Sequence, residues 1–104
     1  LITTVYAVVA NEGTLFNRVV TTGTSSAIPV ANNNKVTFQI TASSVTSGGV
    51  MKIEGSIDGT NWFQLNSTTI SANGNTGISI NGFLHKYMRA NLSSRTDGTY
   101  TVKY

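Results

Sequence analysis

Apolar and polar residues alternate with a period of two along much of the chain, and no stretch repeats them at helical spacing. Between Lys35 and Ala42, the residues Val36, Phe38, Ile40 and Ala42 face one way and Lys35, Thr37, Gln39 and Thr41 the other. That pattern predicts a strand with one buried and one wet face. Val50 to Ile57 repeats it, with Met51, Ile53 and Ile57 expected inward and Lys52, Glu54 and Ser56 outward; Gly55 on the inner side marks a bulge or a close approach. Asp58-Gly59 then supplies a hairpin turn, because Asp tolerates left-handed backbone and Gly has no Cβ to clash there. A return strand follows from Asn61 to Leu65. Further strands are predicted over Thr14 to Thr21 through Leu15, Val19 and Val20, and over Gly77 to Ile80. Two more run over Lys86 to Ser93, with Met88, Ala90 and Leu92 inward, and over Thr99 to Tyr104, with Tyr100, Val102 and Tyr104 on one face. Asn73-Gly74, Asn81-Gly82 and Asp97-Gly98 read as turns; Thr21 to Ala27, Ala31 to Asn34 and Ser43 to Gly49 read as loops. Seven or eight short strands with no helix between them predict an all-β fold. The expected architecture is an antiparallel β-sandwich, jelly-roll or Ig-like, in a single domain over residues 1–104.

Leu1 to Ala10 departs from this alternation. Within Val5, Tyr6, Ala7, Val8 and Val9 both faces are apolar, so a strand there needs cover on two sides. Two readings follow. The segment is a central strand of the same sandwich, or it is an arm that engages a neighbouring subunit through Leu1, Ile2, Val5, Tyr6, Val8 and Val9.

Composition narrows the function classes. Sixteen Thr, eleven Ser and eleven Asn stand beside seven Lys plus Arg and four Asp plus Glu, so the polar surface is mostly neutral. This excludes a charged disordered tail and a coiled coil. No apolar run approaches the roughly twenty residues that cross a bilayer, and no basic stretch followed by an apolar core marks a signal peptide, so no membrane partner is expected. The absence of Cys removes disulfides, thiolate nucleophiles and zinc-thiolate sites, leaving packing or assembly to supply stability. The net charge of +3 is spread out, with His85, Lys86, Arg89, Arg95 and Lys103 making the last twenty residues locally basic. A nucleic-acid groove needs a denser cationic stripe with stacking aromatics, so no nucleic-acid partner is expected.

Candidate chemistry is sparse. Acid–base catalysis needs a donor and an acceptor held together, yet the carboxylates are Glu12, Glu54, Asp58 and Asp97, two of which precede Gly in turns. Glu54 reads as an ordinary exposed strand carboxylate, and the lone His85 as the start of a strand rather than a metal ligand or a triad member. Asp58-Gly59-Thr60-Asn61 offers oxygen ligands but lacks the repeated acids and the bidentate Glu of strong calcium loops. No phosphate loop, HExxH or GxSxG occurs. The expectation is therefore no catalytic, cofactor or metal site. Trp62, Phe63, Tyr87, Tyr100 and Tyr104 could form a sugar-stacking surface; the competing expectation is that Trp62 closes one end of the core with its indole N–H on a loop carbonyl. Asn66-Ser67-Thr68 and Asn91-Leu92-Ser93 match the glycosylation pattern, although Leu92 reads as core.

The run from Lys52 to Trp62, with Leu65 after it, resembles a motif of small β-sandwich structural modules in tailed-phage virion proteins. There a strand ends in Ser-x-Asp-Gly and a Trp opens the return strand; Ser56, Asp58, Gly59 and Trp62 carry the motif here. Lys86 to Leu92 is similar to their Tyr-hydrophobic-Arg strand and Gly98 to Val102 to their closing strand, so the likeness spans Lys35 to Tyr104. The resemblance implies a non-enzymatic protein of the virion surface, of the capsid decoration, head-fibre or tail-associated type. Its implied partners are its own copies, as a homo-oligomer, and the major capsid or another virion protein. Two alternatives stand beside it: the subunit of an extracellular filament built by strand exchange, and a carbohydrate-binding or adhesin module with a surface glycan as partner.

Overall fold

The alternating segments pair into two antiparallel sheets in a computed structural model that describes residues 12–31, 34–83 and 85–104. Among those residues the strands are β1 (Thr14–Val19), β2 (Gly23–Thr24), β3 (Ile28–Pro29), β4 (Lys35–Ser43), β5 (Gly49–Ser56), β6 (Phe63–Ile70), β7 (Gly74–Asn81), β8 (Tyr87–Arg95) and β9 (Thr99–Lys103). One sheet has the order β1-β9-β4-β7; the other has the order β2-β8-β5-β6, with β3 also on β8. No helix among the described residues is long and apolar enough to cross a membrane.

The core lies between the sheets and is built mostly from the predicted inward positions, joined by Ile70 and Ile78, for which no inward face was predicted. Phe38, Ile40 and Ala42 of β4, Ile78 of β7, and Tyr100 and Val102 of β9 meet Met51 and Ile53 of β5, Ile70 of β6, and Met88, Ala90 and Leu92 of β8. Burying each large apolar side chain contributes about 1.5–3 kcal/mol, which offsets the entropy of ordering a chain this rich in Thr and Asn. The outer faces stay polar. Across β4 and β7, Thr37 and Ser79 share a hydroxyl hydrogen bond at 3.0 Å, and Thr41 donates to Asn75 Oδ1 at 2.7 Å.

Several boundaries differ from the sequence reading, each for a local reason. Ile57 is not inward but 63% exposed, because β5 ends at Ser56 and the turn breaks the alternation one residue earlier. In β1 the buried residue is Phe16 rather than Leu15 or Val20. Two register shifts against β9 and a positive φ of 54° at Arg18 interrupt the strict period, and Val20 lies outside the strand, 49% exposed. The return strand starts at Phe63 and continues to Ile70, and β7 opens at Gly74, inside the predicted Asn73-Gly74 turn. The stretch expected as a loop from Thr21 to Ala27 holds β2, and Ser43 and Gly49 belong to strands. With β2 and β3 counted, nine strands stand among the described residues where seven or eight were expected. The proposed arm, Leu1 to Ala10, lies outside the described residues.

Candidate functional site

The hairpin motif folds for reasons each of its residues supplies. Ser56 is fully buried at the end of β5; its hydroxyl donates to Asp58 Oδ1 at 3.0 Å and accepts the Gly59 N–H at 2.9 Å. Asp58 Oδ1 also accepts the N–H groups of Thr60 and Asn61, both at 2.8 Å, while Oδ2 accepts Asn61 Nδ2 at 2.8 Å. These donors, the Asn61 N–H first, hold the Asp58 carboxyl well below the usual carboxylate range. Gly59 takes a φ of 77°, where a side chain would be strained. Both carboxylate oxygens of Asp58 thus close the turn rather than face a ligand.

Trp62 does not close the core. It is half-buried, with the Arg89 guanidinium carbon 4.2 Å from its ring centroid. Arg89 Nε donates to Glu54 Oε1 at 2.8 Å, and Glu54 Oε2 accepts Asn91 Nδ2 at 3.2 Å. The register of β5 on β8 sets Glu54 opposite Arg89 and Lys52 opposite Asn91, on the outward face. The turn delivers Trp62 to this outer row, where a flat cation covers part of the indole. Glu54, expected to be an ordinary exposed carboxylate, is half-buried and ion-paired. The five candidate stacking aromatics do not form one surface. Tyr100 is fully buried, Tyr104 packs against Gly13, and Phe63 meets His85 edge-on, whereas Tyr87 lies near Gly59 beside the hairpin.

Asp97 accepts the N–H groups of Thr46, Ser47 and Gly48, at 2.8 Å for Gly48, and these donors lower its pKa. Glu12 is exposed. His85 precedes β8 and is buried, stacked on Phe83 at 4.5 Å and edge-on to Phe63 at 5.8 Å. Its Nε2 has no hydrogen-bond partner among the described residues, and desolvation pushes its pKa below the ordinary value. Gly55 lies on the inner face as expected, and a Cβ there would sit 3.1 Å from His85 Cδ2. Among the described residues no three His, Asp or Glu side chains gather as a metal site would require.

A different feature emerges from the sheet order. Terminal strands β1 and β2/β3 carry the devices that discourage strand addition: β1 has Arg18 and two register shifts, β2 and β3 are two residues each, and Pro29 lies in β3. The other terminal strands, β6 and β7, are eight residues each, with no charged residue and no proline. The short link Ser71 to Asn73 joins them, so they border the same side of the sandwich. β7 pairs with β4 over eight consecutive residues without a shift, whereas β6 has one shift against β5. Among the described residues no strand covers the outer side of either. The sequence signal for this margin was present: no Asp, Glu, Lys or Arg occurs between Gly59 and His85.

The interface residues expected at the start of the chain, Leu1, Ile2, Val5, Tyr6, Val8 and Val9, lie outside the described residues, while Ser56, Asp58, Gly59 and Trp62 form the hairpin above. Comparison with protein-family models, with curated proteins and with solved structures finds no match to this chain.

Proposed function

We propose that this chain is a non-enzymatic structural protein of a virion, a capsid decoration or accessory protein that binds a repetitive protein lattice at the virion surface and self-associates. The observation that carries the reading is the contrast between a guarded side, bordered by β1 and β2/β3, and a long, neutral, proline-free side bordered by β6 and β7. Such a margin in a small sandwich gains stability when a partner covers it, and repeated weak contacts on a lattice add through mass action. Three of the four carboxylates support the same reading, since Asp58 and Asp97 hold turns and Glu54 holds Arg89. The virion assignment rests on the resemblance of the Ser56 to Trp62 hairpin. A filament subunit would use the same burial and differ in what is built. Electron microscopy of the native particle tests the proposal: the chain should occupy regularly repeated positions on a protein shell, and an isolated, dispersed monomer would refute it.

The position of Trp62 on the outer row, held by Arg89 rather than sunk in the core, favours one second reading, a module that stacks a surface glycan on the indole. Glycan-array binding that is lost in Trp62→Ala, with an unchanged circular-dichroism spectrum, would establish it.

A further inference from the structure

We propose that Asn66 is a self-modification site: in the folded chain the main-chain nitrogen of Ser67 attacks its carboxamide carbon, and the succinimide that forms is opened by water to aspartate and isoaspartate. The geometry singles this residue out. Asn66 Oδ1 accepts the N–H of Ser67 at 2.7 Å. The side chain is therefore folded back on the one main-chain nitrogen with which it can close a five-membered ring, and Cγ lies one bond from that contact. Both residues are exposed, so water and hydroxide reach them. The strand ladder is also broken here. Ile53 pairs with Asn66 and Glu54 with Gln64, which leaves Leu65 without an opposite residue. A bulge of this kind disrupts the ladder locally, and ring closure needs main chain that is able to turn.

The step needs only water and a base. Hydroxide takes the Ser67 amide proton, the nitrogen bonds to Asn66 Cγ, the Cγ–Nδ2 bond breaks, and the carboxamide nitrogen leaves as ammonia with a proton from solvent. Water then cleaves either the new Cγ–N bond, giving aspartate, or the original peptide bond, giving isoaspartate, whose main chain runs through Cβ and Cγ. The two Asn-Gly pairs, Asn73-Gly74 and Asn81-Gly82, are the more reactive by sequence, because glycine puts no side chain beside the nitrogen. The fold restrains both. Asn73 Oδ1 accepts the Val45 N–H at 2.8 Å, which ties its carboxamide to the β4–β5 connection, and the Gly82 N–H donates to the Asn34 carbonyl at 2.7 Å, which engages the nucleophile elsewhere. At Asn66 the same kind of contact joins the nucleophile to the group it attacks. The products alter β6 in two ways. A carboxylate becomes the first charge on the strand, and isoaspartate lengthens it by one main-chain carbon, which sets Ser67 to Ile70 out of register with Gly49 to Lys52.

Ageing of the full chain at mildly alkaline pH, once in its native state and once in urea, tests the site. Tandem mass spectrometry of proteolytic peptides places each one-dalton gain on its residue, and ion exchange separates the acidic species. In the folded protein Asn66 should convert several-fold faster than Asn73 or Asn81. In urea the order should invert, with the two Asn-Gly pairs leading. Asn66→Gln, whose extra methylene disfavours the ring, should remove the leading acidic species of the folded protein at an unchanged circular-dichroism spectrum. Conversion of Asn73 or Asn81 ahead of Asn66 in the folded protein, or no conversion at Asn66, would overturn the proposal.

Discussion

Tyr100 donates its hydroxyl to the main-chain oxygen of Asp97 at 2.7 Å, three residues earlier across the β8–β9 turn. The ring is fully buried between the sheets, and burial, with the Asp97 charge, raises the pKa of the phenol. Asp97 in turn gathers three successive N–H groups of the β4–β5 connection, so one side chain fixes one turn and that turn fixes the next. Tyr100→Phe keeps the packing and removes the hydrogen bond. It is expected to destabilise the fold by about 1 kcal/mol, measured as a shift in the urea midpoint at unchanged slope.

Acid should destabilise the protein in two stages. His85 has a folded pKa below its unfolded value, so stability is full above pH 6.5 and falls as pH drops below it, when the unfolded chain takes up a proton that the buried ring refuses. Asp58 and Asp97 have depressed folded pKa values, so their contribution is present above the unfolded value of 3.8 and is lost as pH falls further. Thermal melts between pH 8 and pH 3 should show both declines. In His85→Phe the decline just below pH 6.5 should flatten while the lower one persists; an unaltered profile would contradict the assignment.

The Trp62–Arg89 stack should behave as a coupled pair. A double-mutant cycle with Trp62→Ala and Arg89→Ala is expected to give about 0.5–1 kcal/mol of coupling, as a half-buried cation–π contact does. Arg89→Lys should recover little of it, since the ammonium offers neither the planar face nor the Nε that meets Glu54. Denaturant titrations of the four proteins measure the cycle.

Two glycines should respond in opposite ways. At Gly48, with φ of 89°, an added Cβ would lie 1.6 Å from the Ile70 main-chain oxygen, so Gly48→Ala should cost about 3 kcal/mol or prevent folding. Gly77 has open space around it, and Gly77→Ala should be stabilising by about 0.5 kcal/mol through the unfolded chain. Melting temperatures of the two variants decide both.

Much of the fold was legible because alternation in a half-buried strand reports the core face directly, as at Lys35 to Ala42. The pattern failed where backbone geometry changed its parity: at Ile57, one residue past the strand end, and around Arg18, where the bulged edge puts Phe16 inward. Asp58 and Gly59 were readable as a turn because their hydrogen bonds are local, whereas Ser56, expected outward, is fully buried with its hydroxyl on Asp58 Oδ1 and the Gly59 N–H. Glu54 and Arg89 were not readable as a pair, since 35 residues separate them and only the β5–β8 register brings them together. Trp62 was misplaced for the same reason: its partner is a cation from a distant strand, and an aromatic beside a turn carries no mark of which face it will cover.

The guarded border at β1, β2 and β3 sets a limit on growth. A sheet that accepts a new neighbour at one end and refuses it at the other can be lengthened once, after which each newcomer presents its own closed end to solvent. Strand addition confined to that end would have a valence of one for each sheet and would terminate instead of running on into a fibril.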